Sequence, residues 1–203
     1  MRDWWLRTLL VLQHPRPVFV ALRDDTRENA GDMAEPILLI VILAGIAGVL
    51  TTGTAARLND GDSFDPGLIA IWAFFFGAIY GAFAYFVVGG LLHVAVKSLG
   101  SLGTYRRTRH VLAFAAVPLA LSLVLWPVKL ALYGEAWFRT GGGDAHAGGA
   151  VFDLLTYVFF VWALVLLVTG VRSVHGWTWA RATAATGIAL VVPVLAGLAA
   201  SSL

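Results

Sequence analysis

The side chains with the best chemical prospects in this chain are His93, His110 and His175, because three imidazoles together can hold zinc. No HxxxH or HxxE spacing places two such ligands on one helical face, so a zinc centre is not expected. The run Asp60-Gly61-Asp62-Ser63-Phe64-Asp65 has the outline of a calcium loop. It lacks glycine at the sixth position and the closing bidentate glutamate, and reads as a solvated acidic turn. The absence of cysteine excludes disulfides, thiol catalysis and thiolate metal sites. The triplet Gly141-Gly142-Gly143 follows no strand, so it is not a phosphate-binding loop. These residues predict no catalytic site, no metal and no cofactor.

Arginine offers different chemistry. Tyr105-Arg106-Arg107-Thr108-Arg109 and the stretch from Thr178 to Arg181 each open an apolar run. Helix N-termini with free N–H groups and planar guanidinium forks suit phosphate. The abundant phosphates at such a position are phospholipid headgroups. Arg106, Arg107, Arg109 and Arg181 are therefore the candidate phospholipid contacts. Cations at the positive end of a helix dipole are mildly unfavourable, which sharpens the expectation of a role. The same residues also serve as simple orientation signals.

The elements that must position these groups are membrane spans. Of 203 residues, 59% are apolar, more than a soluble domain of this length can bury. Five stretches reach the roughly 20 apolar residues that a crossing needs. They are about 36–56, 68–96, 111–133, 151–171 and 180–200. Pro36 and Pro66 sit where a first helical turn tolerates proline, and Gly100 and Gly176 suit the left-handed residue beyond a helix end. The glycine-rich stretch 141–149 reads as a flexible loop. No cleavable signal peptide is expected in the first twelve residues.

Eleven of the fourteen basic residues fall on one side of these spans; Arg57, Lys129 and Arg139 fall on the other. That asymmetry predicts an all-α polytopic membrane protein, a five-helix bundle with its N-terminus cytosolic and its C-terminus outside. No ionisable group is expected near the middle of a span. His93 lies near an end, Lys129 is close enough to the surface to snorkel, and Asp153 is placed to cap the fourth helix. Proton coupling and hydrolysis within the bilayer are thereby disfavoured. A net charge of +2 argues against nucleic acid as a partner.

Two further features organise the bundle. Ala73, Gly77 and Gly81 recur every four residues in the second span, a stripe that lets helix backbones approach closely. Packing within the chain is the simpler use of the stripe, and a homodimer is the other. Residues 1–35 form a cytosolic arm before the membrane domain, 36–203. Within it, Trp5, Leu9 and Leu12 share a helical face and Asp3 and Arg7 pair on another. The arm reads as a short interfacial helix anchored by Trp4 and Trp5, or as a helix packed onto the span ends.

Four stretches share one order and spacing: His14-Pro15 with Phe19 and Leu22-Arg23; Leu99-Gly100, Thr104-Tyr105-Arg106 and Pro118; Phe160-Val161-Trp162 to Gly170-Val171; and His175-Gly176 to Arg181-Ala182. In these the chain resembles the Yip-domain family (Ypt/Rab-interacting membrane proteins), in its prokaryotic branch. The resemblance implies five spans. Eukaryotic members are associated with small GTPases and vesicle traffic, helped by a long N-terminal region and an acidic-Leu-Gly-Pro-like stretch. That stretch is absent here, so GTPase binding is not carried over. The expectation is a non-enzymatic plasma-membrane protein of a prokaryote, organising the membrane or binding an unidentified protein partner, and touching anionic phospholipids of the bilayer. The alternative is a small-molecule or lipid transporter whose path is lined by Pro118, Pro127 and Pro193; an intramembrane enzyme comes third.

Overall fold

Lipid offers no partner to a bare peptide group, so a chain this apolar must satisfy its backbone within each segment. The computed structural model describes residues 2–24, 26–51, 60, 66–134, 139–141 and 148–201, and its regular structure there is wholly helical. Three short helices make the arm: α1 (Arg2–Leu10), α2 (Pro15–Ala21) and α3 (Arg27–Asp32). The first two spans are α4 (Ala34–Leu50) and α5 (Pro66–Ser98). The third is interrupted: α6 (Tyr105–Ala115), α7 (Val117–Leu121), a 3₁₀ turn over Ser122–Val124, and α8 (Leu125–Tyr133). The last two are α9 (Gly149–His175) and α10 (Trp179–Ser201). Three of these crossings are long and apolar enough to span a membrane, and α4 and α10 supply two shorter apolar helices.

The interruptions have a covalent cause. Pro118 and Pro127 carry no N–H and crowd the carbonyl four residues back, so the ladder breaks at Ala116 and tightens over Ser122–Val124. Pro193, by contrast, stays inside a continuous α10. The broken span is also the central one. Burial reaches 44% of its apolar stretch, against 17% in α5 and 22% in α9. Large apolar side chains of α5, including Phe74, Phe75, Ile79 and Phe83, point away from the bundle, the surface that lipid covers.

Packing is uneven along the bundle. The main core gathers at the arm end, where α1, α2 and the adjoining ends of α4, α5, α6, α9 and α10 meet. Phe19 is fully enclosed there, its ring against Gly170 and near Val111. At the opposite end a small cluster joins Leu125 and Phe152 with Tyr133 and Phe159. Asp60 accepts hydrogen bonds from the Thr140 N–H, at 2.9 Å, and from its hydroxyl, which tie the two linkers of that end together. Those bonds hold its carboxyl below the usual carboxylate range. The acidic turn over 61–65 and the glycine-rich stretch over 142–147 lie outside the described residues.

The arm packs one face of α1 onto the bundle and leaves the Trp5 and Leu9 face outward. Trp4 and Val11 are buried, whereas Trp5 and Leu9 are exposed. Trp4 stacks at 5.5 Å on Phe114 and donates its indole N–H to the Asn29 side-chain oxygen at 3.0 Å. It is a core residue, not a lipid anchor. The apolar residues Trp5, Leu6, Leu9 and Leu10 form the outer face of the same helix.

Candidate functional site

Two linkers at the arm end share one construction. After α5, Gly100 takes φ +86°, with the Ser101 N–H on the Val96 carbonyl and the Gly100 N–H on Lys97. This is the glycine-closed helix end that satisfies two otherwise orphaned carbonyls. Thr104 then starts α6 by accepting the Arg107 N–H at 3.2 Å. After α9, Gly176 takes φ +67° and Thr178 accepts the Arg181 N–H at 3.4 Å. Each linker thus delivers an arginine into the first turn of the next helix.

The guanidiniums do not dwell on the positive helix ends that carry them. Arg181 reaches across to the Leu99 carbonyl at the end of α5. Arg107 donates to the Arg23 carbonyl at 2.7 Å, and Arg23 donates twice to Ser173 O, at 3.1 and 2.6 Å, in the last turn of α9. Successive spans run antiparallel, so one helix's N-terminus lies beside its neighbour's C-terminus. There the free carbonyls and the negative dipole end welcome a cation. Arg23 is the member of this network that sequence reasoning did not single out. Its only signal was its place in the family-like lead-in.

Arg109 stands apart, on the α5 side. Its guanidinium lies 4.4–5.0 Å from the rings of Tyr105, Phe86 and Tyr85, and its stem crosses Gly89, where a Cβ would come within 2.6 Å. Its buried Nε has no hydrogen-bond partner among the described residues. Arg106 is half-buried in the same turn. Arg181 also lies over Trp177 at 4.4 Å, and Arg172 over Trp179 at 4.6 Å. The structure therefore chains Arg107 through Arg23 to Ser173, seats Arg181 on Leu99 at the same end of the bundle, and leaves Arg109 in a separate aromatic cage.

The histidines take separate partners. His175 Nδ1 meets Ser101 Oγ at 3.1 Å, and His93 Nδ1 meets Thr108 Oγ1 at 3.4 Å. Among the described residues no three His, Cys, Asp or Glu side chains gather as metal ligands.

The stripe of α5 faces α4. A methyl on Gly77 would stand 2.6 Å from Ile46 Cα; on Gly81 it would run into the Val41 carbonyl. Ala73, one turn earlier, is buried. This face of α5 is occupied by α4, so a homodimer would have to use another.

Beside that contact, across the middle of the bundle, lies an apolar cleft of about 470 Å³, lined from Val88 and Leu112 on the arm side to Thr51 and Thr156 on the other. Small residues widen it: Ala44, Gly48, Ala84, Ala113 and Ala116. Three of its hydroxyls, on Thr51, Ser122 and Thr156, each donate to a carbonyl of their own helix at 2.7–2.8 Å, and Tyr80 and Tyr85 also line it. Pro193 lines the cleft, whereas Pro118 is buried in the core and Pro127 is exposed. A second recess of about 440 Å³ adjoins it, sharing Thr51, Thr156 and Phe160. Lys129 and Asp153 line that recess. Lys129 does not snorkel outward: it is 7% exposed, its ammonium 4.8 Å from the Trp126 ring and 5.5 Å from Phe152. Asp153 lies inside α9, which begins at Gly148 without a side-chain cap.

The Yip1 domain model matches residues 9–201. The chain belongs to the Yip1 domain family. No curated protein and no solved structure matches it. The family match takes in α2, whose Phe19 closes the core, together with the network of Arg23, Arg107 and Arg181 and all five apolar helices. For a Yip1 domain protein, the helices and their lipid-facing surfaces describe a multi-pass membrane protein.

Proposed function

We propose that this chain is a non-enzymatic scaffold of a prokaryotic plasma membrane, which holds anionic phospholipid at the arm end of its bundle and organises the membrane or a protein partner there. The observation that carries the reading is the convergence of Arg23, Arg107, Arg172 and Arg181, with Arg109 nearby, on one end of an otherwise apolar bundle. The exposed apolar face of α1 supports it, since Trp5, Leu6 and Leu9 suit burial in the same interface. The basic asymmetry supports a cytosolic arm end. Transport of a polar solute, the competing reading, gains little from a cleft lined chiefly by apolar side chains.

The test is lipid retention. Changing Arg106, Arg107, Arg109 and Arg181 together to Gln is expected to cut co-purified anionic lipid several-fold, since each basic contact near an anionic surface is worth about 1 kcal/mol. Zwitterionic lipid should stay constant, and salt should weaken the wild-type preference. Replacing the same four by Lys keeps the charge and should keep most of the lipid. A correctly inserted Gln variant that retains its anionic lipid reduces the arginines to orientation signals.

Orientation is checked separately. A reporter after Leu203 is expected to work only outside the cytosol, and one inserted beside Leu102, which is 95% exposed, only inside. The opposite pattern at either position would overturn the assignment of sides.

A further inference from the structure

The apolar cleft and the recess beside it have the shape and polarity of one amphiphile. Along α4 the cleft runs from Val41 to Thr51, a rise of about 15 Å. That is half of a hydrocarbon core of about 30 Å, and the lining continues on the arm side to Val88 and Leu112. Tyr80 and Phe160 line it and are about half exposed, so it opens sideways between the spans. An apolar cavity does not hold water. In a bilayer its natural content is hydrocarbon, and a volume of about 470 Å³ lies in the range of small-molecule pockets, enough for one chain and too little for a whole lipid.

The mouth selects the headgroup. Lys129 and Asp153 line the same recess, with the indole of Trp126 beside them, at the end of the cleft away from the arm. A cation and a carboxylate side by side complement a headgroup that carries both signs: phosphate against the ammonium, amine against the carboxylate. An anionic headgroup would meet repulsion from Asp153. The arginine network lies at the other end of the bundle and plays no part.

We infer that this chain binds one phospholipid with an amine-bearing zwitterionic headgroup, entering from the end of the bundle opposite the arm. The headgroup sits between Lys129 and Asp153, and one acyl chain lies in the cleft between α4, α5 and the broken third span.

The probe is phosphatidylethanolamine with a photoreactive diazirine on one acyl chain, reconstituted with the full chain in phosphatidylcholine–phosphatidylglycerol vesicles. Crosslinks are expected to map to residues 41–51 and 112–122 and to fall about tenfold when the lining residue Ala116 is changed to Phe. An otherwise identical phosphatidylglycerol probe should label these segments less. Lys129→Met with Asp153→Asn should erase that preference, a loss of about tenfold on the scale at which a charged hydrogen bond counts. Should Ala116→Phe fail to fold, competition with unlabelled phosphatidylethanolamine in the wild type gives the same reading. Labelling spread over the lipid-facing side of α5 and indifferent to competitor and to Ala116→Phe would mean surrounding lipid only, and would overturn the site. Equal labelling by both probes, unchanged in the double variant, would overturn the headgroup assignment and with it the proposal.

Discussion

Gly81→Leu is expected to destabilise the detergent-solubilised protein by at least about 3 kcal/mol, the upper end of what overpacking a tight contact costs. The reason is the identity of the atoms it meets. A flexible side chain can step aside, but the first new carbon at Gly81 runs into the Val41 carbonyl, and Gly45 in turn presses on the Gly77 carbonyl. Backbone at this contact yields only if α4 and α5 separate. Gly77→Leu should behave alike, because it meets Ile46 at its Cα. Phe75→Leu, on the 62% exposed outer face of the same helix, should cost under about 0.5 kcal/mol, as surface changes usually do. Unfolding followed by loss of helical signal in denaturant separates these cases. Equal, small effects at all three positions would mean that α4 and α5 do not meet through this face.

Phe19→Ala is the second large effect, and it acts through the arm. Its ring is fully enclosed, lying against Gly170 and beside Val111. Removing such a ring costs about 3–5 kcal/mol, part lost burial and part unfilled cavity. Trp4, Val18, Leu22 and Met33 also anchor the arm, so the loss should appear as a loosened arm on intact spans. Limited proteolysis is expected to cut between residues 23 and 35 much faster in Phe19→Ala than in wild type, while the spans stay protected. Leu6→Ala, on the exposed face of α1, should leave cleavage unchanged. If Phe19→Ala leaves the arm as protected as before, α2 is held by something other than this ring.

What the sequence disclosed was whatever depends on local pattern. Apolar runs of crossing length declared the bundle, and Gly100 and Gly176 declared the ends of α5 and α9, because the left-handed backbone there favours a residue without Cβ. The choice between Trp4 and Trp5 was not legible. Both faces of α1 are apolar, and what draws Trp4 inward is Asn29 and Phe114, far away in the chain. The destination of the arginines was hidden for the same reason: Arg181 bonds to Leu99 and Arg23 to Ser173, partners that only the antiparallel packing brings near. Lys129 looked like a residue reaching for the surface, and its position alone could not reveal the rings of Trp126 and Phe152 beneath which it folds. The cleft has no contiguous signature, since its walls come from all five spans.

The pairing of α4 with α5 has a consequence for the bilayer itself. At 33 residues, α5 is about 50 Å long, while α4, at 17, is about 25 Å. Fastened together by glycines, the two cannot tilt independently to match one thickness, for any inclination that shortens the reach of α5 shortens that of α4 as well. Over the described residues the bilayer is expected to meet the chain unevenly, thinner beside α4 than beside α5. Each ångström of mismatch costs only a fraction of a kcal/mol. Summed around one flank, that cost gives the molecule a preferred bilayer thickness and a preferred side to turn toward its thinner regions.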